Sequence, residues 1–140
     1  MPHMSFPEKE PIHQLGSYEQ FRPYFHTRTL RWSYGAIESR ESDRWLAAVD
    51  KLPLPEALER LALAGFEGIH LDRRGFVDSG AKAEAELARL LGGAPLVSLN
   101  GLQTFFDMTR YAQDTHDRLG DQEWAKRRAG ISVPAPVHRP

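Results

Sequence analysis

His70 and Asp72 are the residues whose types and spacing most resemble chemistry. They stand two apart in Phe66-Glu67-Gly68-Ile69-His70-Leu71-Asp72, so on a strand they share one face. A carboxylate at the C-terminal end of a strand can act as general acid or base, or ligate a metal. Asp72 is therefore the candidate catalytic residue. The plainer reading is that an Asp before Arg73-Arg74-Gly75 caps a turn or pairs with an arginine. Trp32, Tyr34, Tyr24 and Phe25 could offer ring faces for stacking on a sugar, although rings at strand spacing more commonly belong to a core.

Other routes to catalysis are missing. The six histidines are scattered, and His70-Leu71-Asp72 supplies two zinc ligands where a site needs three or four. No metal and no cofactor is expected. There is no cysteine, hence no disulfide framework and no thiolate nucleophile. The phosphate-binding glycine loops, the nucleophile elbow and the His-Glu-x-x-His zinc motif are absent as well. Lys126-Arg127-Arg128 is a short basic cluster. It suits a helix C-terminus better than a nucleic-acid patch.

The elements that must position these residues follow from patterning. A length of 140 residues, 41% hydrophobic and 26% charged, is one globular domain. Eighteen basic residues against 19 acidic give a net charge of -1, without the basic excess that nucleic-acid binding needs. No nucleic-acid partner is expected. No apolar run is long enough to span a bilayer. The first ten residues have neither a basic leader nor an apolar core, so the isolated chain is expected to stay in the cytoplasm.

Residues 1–29 carry Pro2, Pro7, Pro11 and Pro23 among Phe6, Tyr18, Phe21, Tyr24 and Phe25. Prolines at this density forbid a long helix, and so many aromatics argue against plain disorder. The segment reads as an extended arm that packs on something, with one helical turn near residues 17–22. Residues 30–129 read as an α/β domain and 130–140 as a flexible tail. Within the domain, alternation over residues 30–37 predicts a half-buried strand. Ser42 is the expected cap of a helix bearing Trp45, Leu46, Val49 and Leu52. Pro55 suits the first turn of the next helix and Gly65 its left-handed end. A strand over 68–72 follows, then a helix over 80–91.

Asn100-Gly101 between residues 96–99 and 102–106 predicts a hairpin closed by a two-residue type I′ turn. Met108, Tyr111, Ala112, Thr115 and Leu119 form a helical stripe. Asp121 is the expected cap of a last helix carrying Trp124. Together these predict a small mixed sheet with a β-α-β type core, a C-terminal β-hairpin at Asn100-Gly101 and flanking helices.

Several stretches also carry a family resemblance. They are Phe6-Pro7-Glu8, Tyr18-Glu19-Gln20-Phe21-Arg22-Pro23-Tyr24-Phe25-His26, Leu30-Arg31-Trp32-Ser33-Tyr34-Gly35-Ala36, residues 65–73, and Phe105-Phe106-Asp107. In order and spacing the chain resembles the C-terminal soluble region of bacterial polytopic membrane proteins. These are the sugar translocase, phosphoglycerol transferase and lipid-linked glycosyltransferase type. The resemblance runs from Phe6 to Asp107, and Leu-Arg-Trp-Ser-Tyr-Gly-Ala is its most specific part.

It implies a compact extracytoplasmic α/β domain on the inner membrane, following membrane helices that are not in this chain. The catalytic carboxylates of such proteins lie in loops between membrane helices, so none is carried over. The implied function is a non-catalytic accessory domain, as a gene fragment, a truncated gene or an excised piece. Its implied partners are the membrane portion of a parent protein and a glycan or lipid-linked sugar. Trp32, Tyr34, His70 and Arg73 would be the glycan contacts. Two rival readings remain. One is a fragment of a glycan-processing (β/α) barrel hydrolase using Asp72. The other is a small protein-binding module that dimerises through the aromatic arm.

Overall fold

The computed structural model describes residues 13–16, 19, 22, 23, 32 and 41–131. The strand expected over 30–37 and most of the arm and tail lie outside these residues, Trp32 excepted. The described elements run α1 (Glu41–Asp50), α2 (Leu54–Ala64), β1 (Gly68–Asp72), a 3-10 turn (Arg73–Gly75), α3 (Ala81–Leu91), β2 (Leu96–Val97), β3 (Gln103–Asp107), α4 (Thr109–Leu119) and α5 (Asp121–Ala129). The chain is thus an α/β protein of helices around a small sheet.

Sheet order is β1-β3-β2, and both neighbouring pairs are antiparallel. β1 and β2 consequently run parallel with β3 inserted between them, and α3 makes the crossover. β1, α3 and β2 thus make a β-α-β relation in split form. The expected mixed pairing gives way, among the described strands, to antiparallel pairing throughout. The reason is that the hairpin places β3, not β2, beside β1.

Period-two alternation sorts the sheet into two faces. Ile69 and Leu71 of β1 lie opposite Phe106 and Thr104 of β3. Ile69, Leu71 and Phe106 join Val49, Ala57, Leu58, Leu61, Ala62, Leu87 and Met108 in one buried core. The helices therefore cover this face. Burying such a side chain stabilises the fold by about 1.5–3 kcal/mol. Thr104 is the polar member of the core face and is 1% exposed. Its hydroxyl donates to Glu84 Oε1 at 3.1 Å.

Local chemistry sets most element ends. Gly65 takes φ 88° after α2. Its N–H donates to Ala62 O and the Phe66 N–H to Leu61 O, each at 3.0 Å. These two bonds make a Schellman ending. They also aim Phe66 back onto Trp45 of α1, the two rings stacked at 6.0 Å.

Three expected details differ. α1 begins at Glu41, so Ser42 lies inside it and is not its cap. α5 begins at Asp121 itself, with Gly120 before it and no side-chain cap. The Asp121 charge serves the helix dipole instead.

The hairpin turn also differs from expectation. Leu96 pairs with Phe105 and Val97 with Thr104, and the Ser98 N–H donates to Gln103 O at 2.9 Å. Four residues, 99–102, close the loop in place of two. Gly101 has φ 70°, whereas Asn100 is not among the positive-φ residues, so the type I′ turn is ruled out. Contacts from the 3-10 turn after β1 hold the longer loop. The Arg73 N–H donates to Leu102 O at 2.8 Å, and Arg73 Nη1 donates to Gly101 O at 2.7 Å.

Candidate functional site

β1 carries Gly68, His70 and Asp72 on the face away from the helices, opposite Asp107, Phe105 and Gln103 of β3. Asp72 ends the strand with its side chain wholly buried, at 0% exposure. Both carboxylate oxygens are engaged by one neighbour. Arg74 Nε donates to Oδ1 at 2.9 Å and Nη2 to Oδ2 at 2.6 Å. The Arg74 backbone N–H adds a third bond to Oδ1 at 3.1 Å, which caps the 3-10 turn. Burial alone would raise the Asp72 pKa. The Arg74 guanidinium and amide, with the Gln103 side chain, outweigh it and hold the carboxyl below its ordinary range. Asp72 is a fixed anion, the reverse of a group poised to exchange protons near neutrality.

Arg74 is shared with the N-terminal segment. Its Nη1 pairs with Glu19 Oε2, and its carbonyl accepts from the Gln14 N–H at 3.0 Å. Leu15 is 1% exposed. A Cβ on Gly75 would stand 2.7 Å from Leu15 Cδ1, so the leucine rests on the glycine. Gln14, Leu15 and Glu19 belong to the N-terminal arm, and they dock at the end of β1.

His70 lies one position inward on the same face. Its ring meets Trp32 edge to face with centroids 5.7 Å apart, and its buried Nε2 has no hydrogen-bond partner among the described residues. Burial pushes the imidazole pKa down, while the Asp72 charge works in the other direction. Trp32 and His70 are thus brought together. Tyr34, the third aromatic or imidazole candidate for a glycan contact, lies outside the described residues.

Arg73 points away from this group. Its Nε and Nη2 donate to Glu84 Oε1 and Oε2, each at 2.8 Å, and its Nη1 is held by Gly101 O. Hydrogen bonding to Arg73, assisted by Thr104, carries the Glu84 pKa below its usual value against the effect of burial. The guanidinium is occupied in tying β1, α3 and the hairpin loop together.

Glu84 and Glu19 are the partners that local sequence reasoning missed. They lie 11 residues after Arg73 and in the N-terminal arm respectively. Glu84 carries one signal, its place in the first turn of α3, and Glu19 carries none.

A shallow cavity of about 280 Å³ opens nearby, between His13, Phe76, Val77 and Leu102, and neither Asp72 nor His70 lines it. Among the described residues no group of three or more acidic or histidine side chains is placed to hold a metal. Nor is any described helix long and apolar enough to cross a membrane. No family model matches the chain, and neither a curated protein nor a solved structure matches it.

Proposed function

We propose that this chain is a non-catalytic accessory domain of a bacterial membrane protein engaged in sugar or glycan transfer. One observation carries the non-catalytic part: the carboxylate at the strand end is saturated by an internal ion pair. Asp72 spends both oxygens on Arg74, and Arg73 beside it is spent on Glu84 and Gly101. Neither residue has the free valence that general acid–base work demands. The assignment to a sugar-transfer parent rests on the resemblance of residues 6–107, above all Leu-Arg-Trp-Ser-Tyr-Gly-Ala.

Contact with a glycan would fall to Trp32 and His70, joined by Tyr34. Exposed Leu96, Val97 and Leu99 on the hairpin would face the rest of the parent, as exposed apolar side chains suit protein contact.

The test is an NMR titration of the full chain with bacterial cell-wall oligosaccharides, run beside a glycosidase assay. Shifts centred on the Trp32 indole and His70, without hydrolysis, are expected. Hydrolysis that disappears in Asp72→Asn would overturn the reading in favour of the hydrolase. Oligosaccharides that move no resonance would remove the glycan grip.

A further inference from the structure

The hairpin loop holds the chain's single asparagine, Asn100, followed by Gly101. Both of the groups that meet its side-chain carbonyl are donors. The Leu102 N–H donates to Asn100 Oδ1 at 3.1 Å, and Ser98 Oγ donates to the same oxygen at 2.7 Å. The backbone N–H fixes which end of the amide points inward, since Nδ2 cannot accept a hydrogen bond. Ser98 Oγ in turn accepts from the Gln103 N–H at 2.9 Å. A chain of donors thus runs from Gln103 N–H through the Ser98 hydroxyl to the Asn100 carbonyl. Hydrogen bonds in series polarise one another.

The geometry points to Asn100-Gly101 as a site of self-modification, at which the folded loop promotes its own deamidation. The Asn100–Leu102 hydrogen bond closes a ring that contains both Asn100 Cγ and the Gly101 nitrogen. Attack by that nitrogen on Cγ forms the N–Cγ bond of a cyclic imide. The Gly101 amide proton passes to solvent base, the Cγ–Nδ2 bond breaks, and Nδ2 takes a proton and leaves as ammonia. Water then opens the imide at either carbonyl, to aspartate or isoaspartate.

As the nitrogen attacks, negative charge gathers on Oδ1, where Ser98 Oγ–H and Leu102 N–H already point. Donors aimed at a developing oxyanion are the arrangement that lowers such barriers. Gly101 adds no side chain to the nucleophile, and a Cβ there would meet nothing within 4 Å. The Gly101 N–H is meanwhile held by Ser98 O at 2.8 Å. Loss of that proton is the step that must be driven, so the rate should rise with pH. Isoaspartate lengthens the backbone at the point where Arg73 grips Gly101 O and Leu102 O, and would loosen the hairpin from β1.

The experiment is incubation of the folded full chain in mildly alkaline buffer, followed by peptide mass mapping and an isoaspartate assay. A urea-unfolded sample serves as the reference. Conversion of Asn100 in the folded protein at least as fast as in urea is expected. Ser98→Ala should slow it about fivefold, the worth of one ordinary hydrogen bond. Ser98→Thr, which keeps the hydroxyl, should retain the original rate. Conversion in urea but not in the folded chain would overturn the proposal. So would a Ser98→Ala rate equal to that of the unaltered protein.

Discussion

Arg73 and Glu84 meet as a two-pronged pair, Nε on Oε1 and Nη2 on Oε2, both at 2.8 Å. The pair joins the turn after β1 to the first turn of α3. The third guanidinium nitrogen reaches across to Gly101 O. Only a planar fork can serve a carboxylate and a carbonyl in this way. Arg73→Lys should therefore keep the charge yet lower the midpoint of urea unfolding. A lysine variant as stable as the original protein would show that charge alone matters here.

Asp72→Ala removes the anion beneath Arg74 and leaves the guanidinium, among the described residues, with Glu19. Breaking a buried pair by deleting one partner costs about 3 kcal/mol or more, and the 3-10 turn loses its cap as well. Asp72→Asn, which can still accept from the Arg74 N–H, should cost less. Equal losses in the two variants would mean that the charge and not the cap is what counts.

Acid stability follows from the same carboxylate. Its pKa is lower in the folded chain than in the unfolded one, so the unfolded state binds protons first as pH falls. The stabilisation is complete above about pH 4, the ordinary aspartate value, and drains away below it. His70 adds a loss at milder pH. Its pKa is also lowered on folding, so stability declines as pH falls from about 6.5. Melting temperature against pH should show two descending steps. The upper one should vanish in His70→Leu and the lower one should shrink in Asp72→Asn.

Gly68 is required by its neighbour across the sheet. A Cβ there would sit 2.2 Å from Phe105 Cζ and 3.0 Å from Phe106 O. The Phe105 ring lies over the bare backbone of β1. Gly68→Ala should cost about 1–3 kcal/mol, as overpacking does. Combining it with Phe105→Ala should give a total smaller than the sum of the two single changes. Strict additivity would argue against the contact.

Glu59 of α2 accepts from Arg118 of α4 at 2.8 Å and from Arg127 of α5 at 2.7 Å. Arg127 also donates to Glu123 at 2.7 Å. These side chains are substantially solvated, so Glu59→Gln should cost only about 1 kcal/mol. The deficit should narrow in high salt.

Much of the secondary structure was legible because its signals are local. The helical stripes of α2 and α4, the left-handed glycine after α2 and the alternation of β1 each depend on residues within a few positions. The bland reading of Asp72, a turn cap paired with arginine, is likewise a two-residue affair, and its geometry here is of that kind. Glu84 on Arg73, Glu19 on Arg74 and Trp32 on His70 were not legible, since each joins residues that only folding brings together.

Asn100-Gly101 shows where the division falls. The sequence by itself determined that the chain reverses there, because glycine alone enters the left-handed region without penalty. Tertiary structure decided the rest: a four-residue loop, with Asn100 at negative φ and its amide gripped by Ser98 and Leu102. The physical reason is that Arg73, near in space and far in sequence, holds the loop by two carbonyls that a two-residue turn could not present.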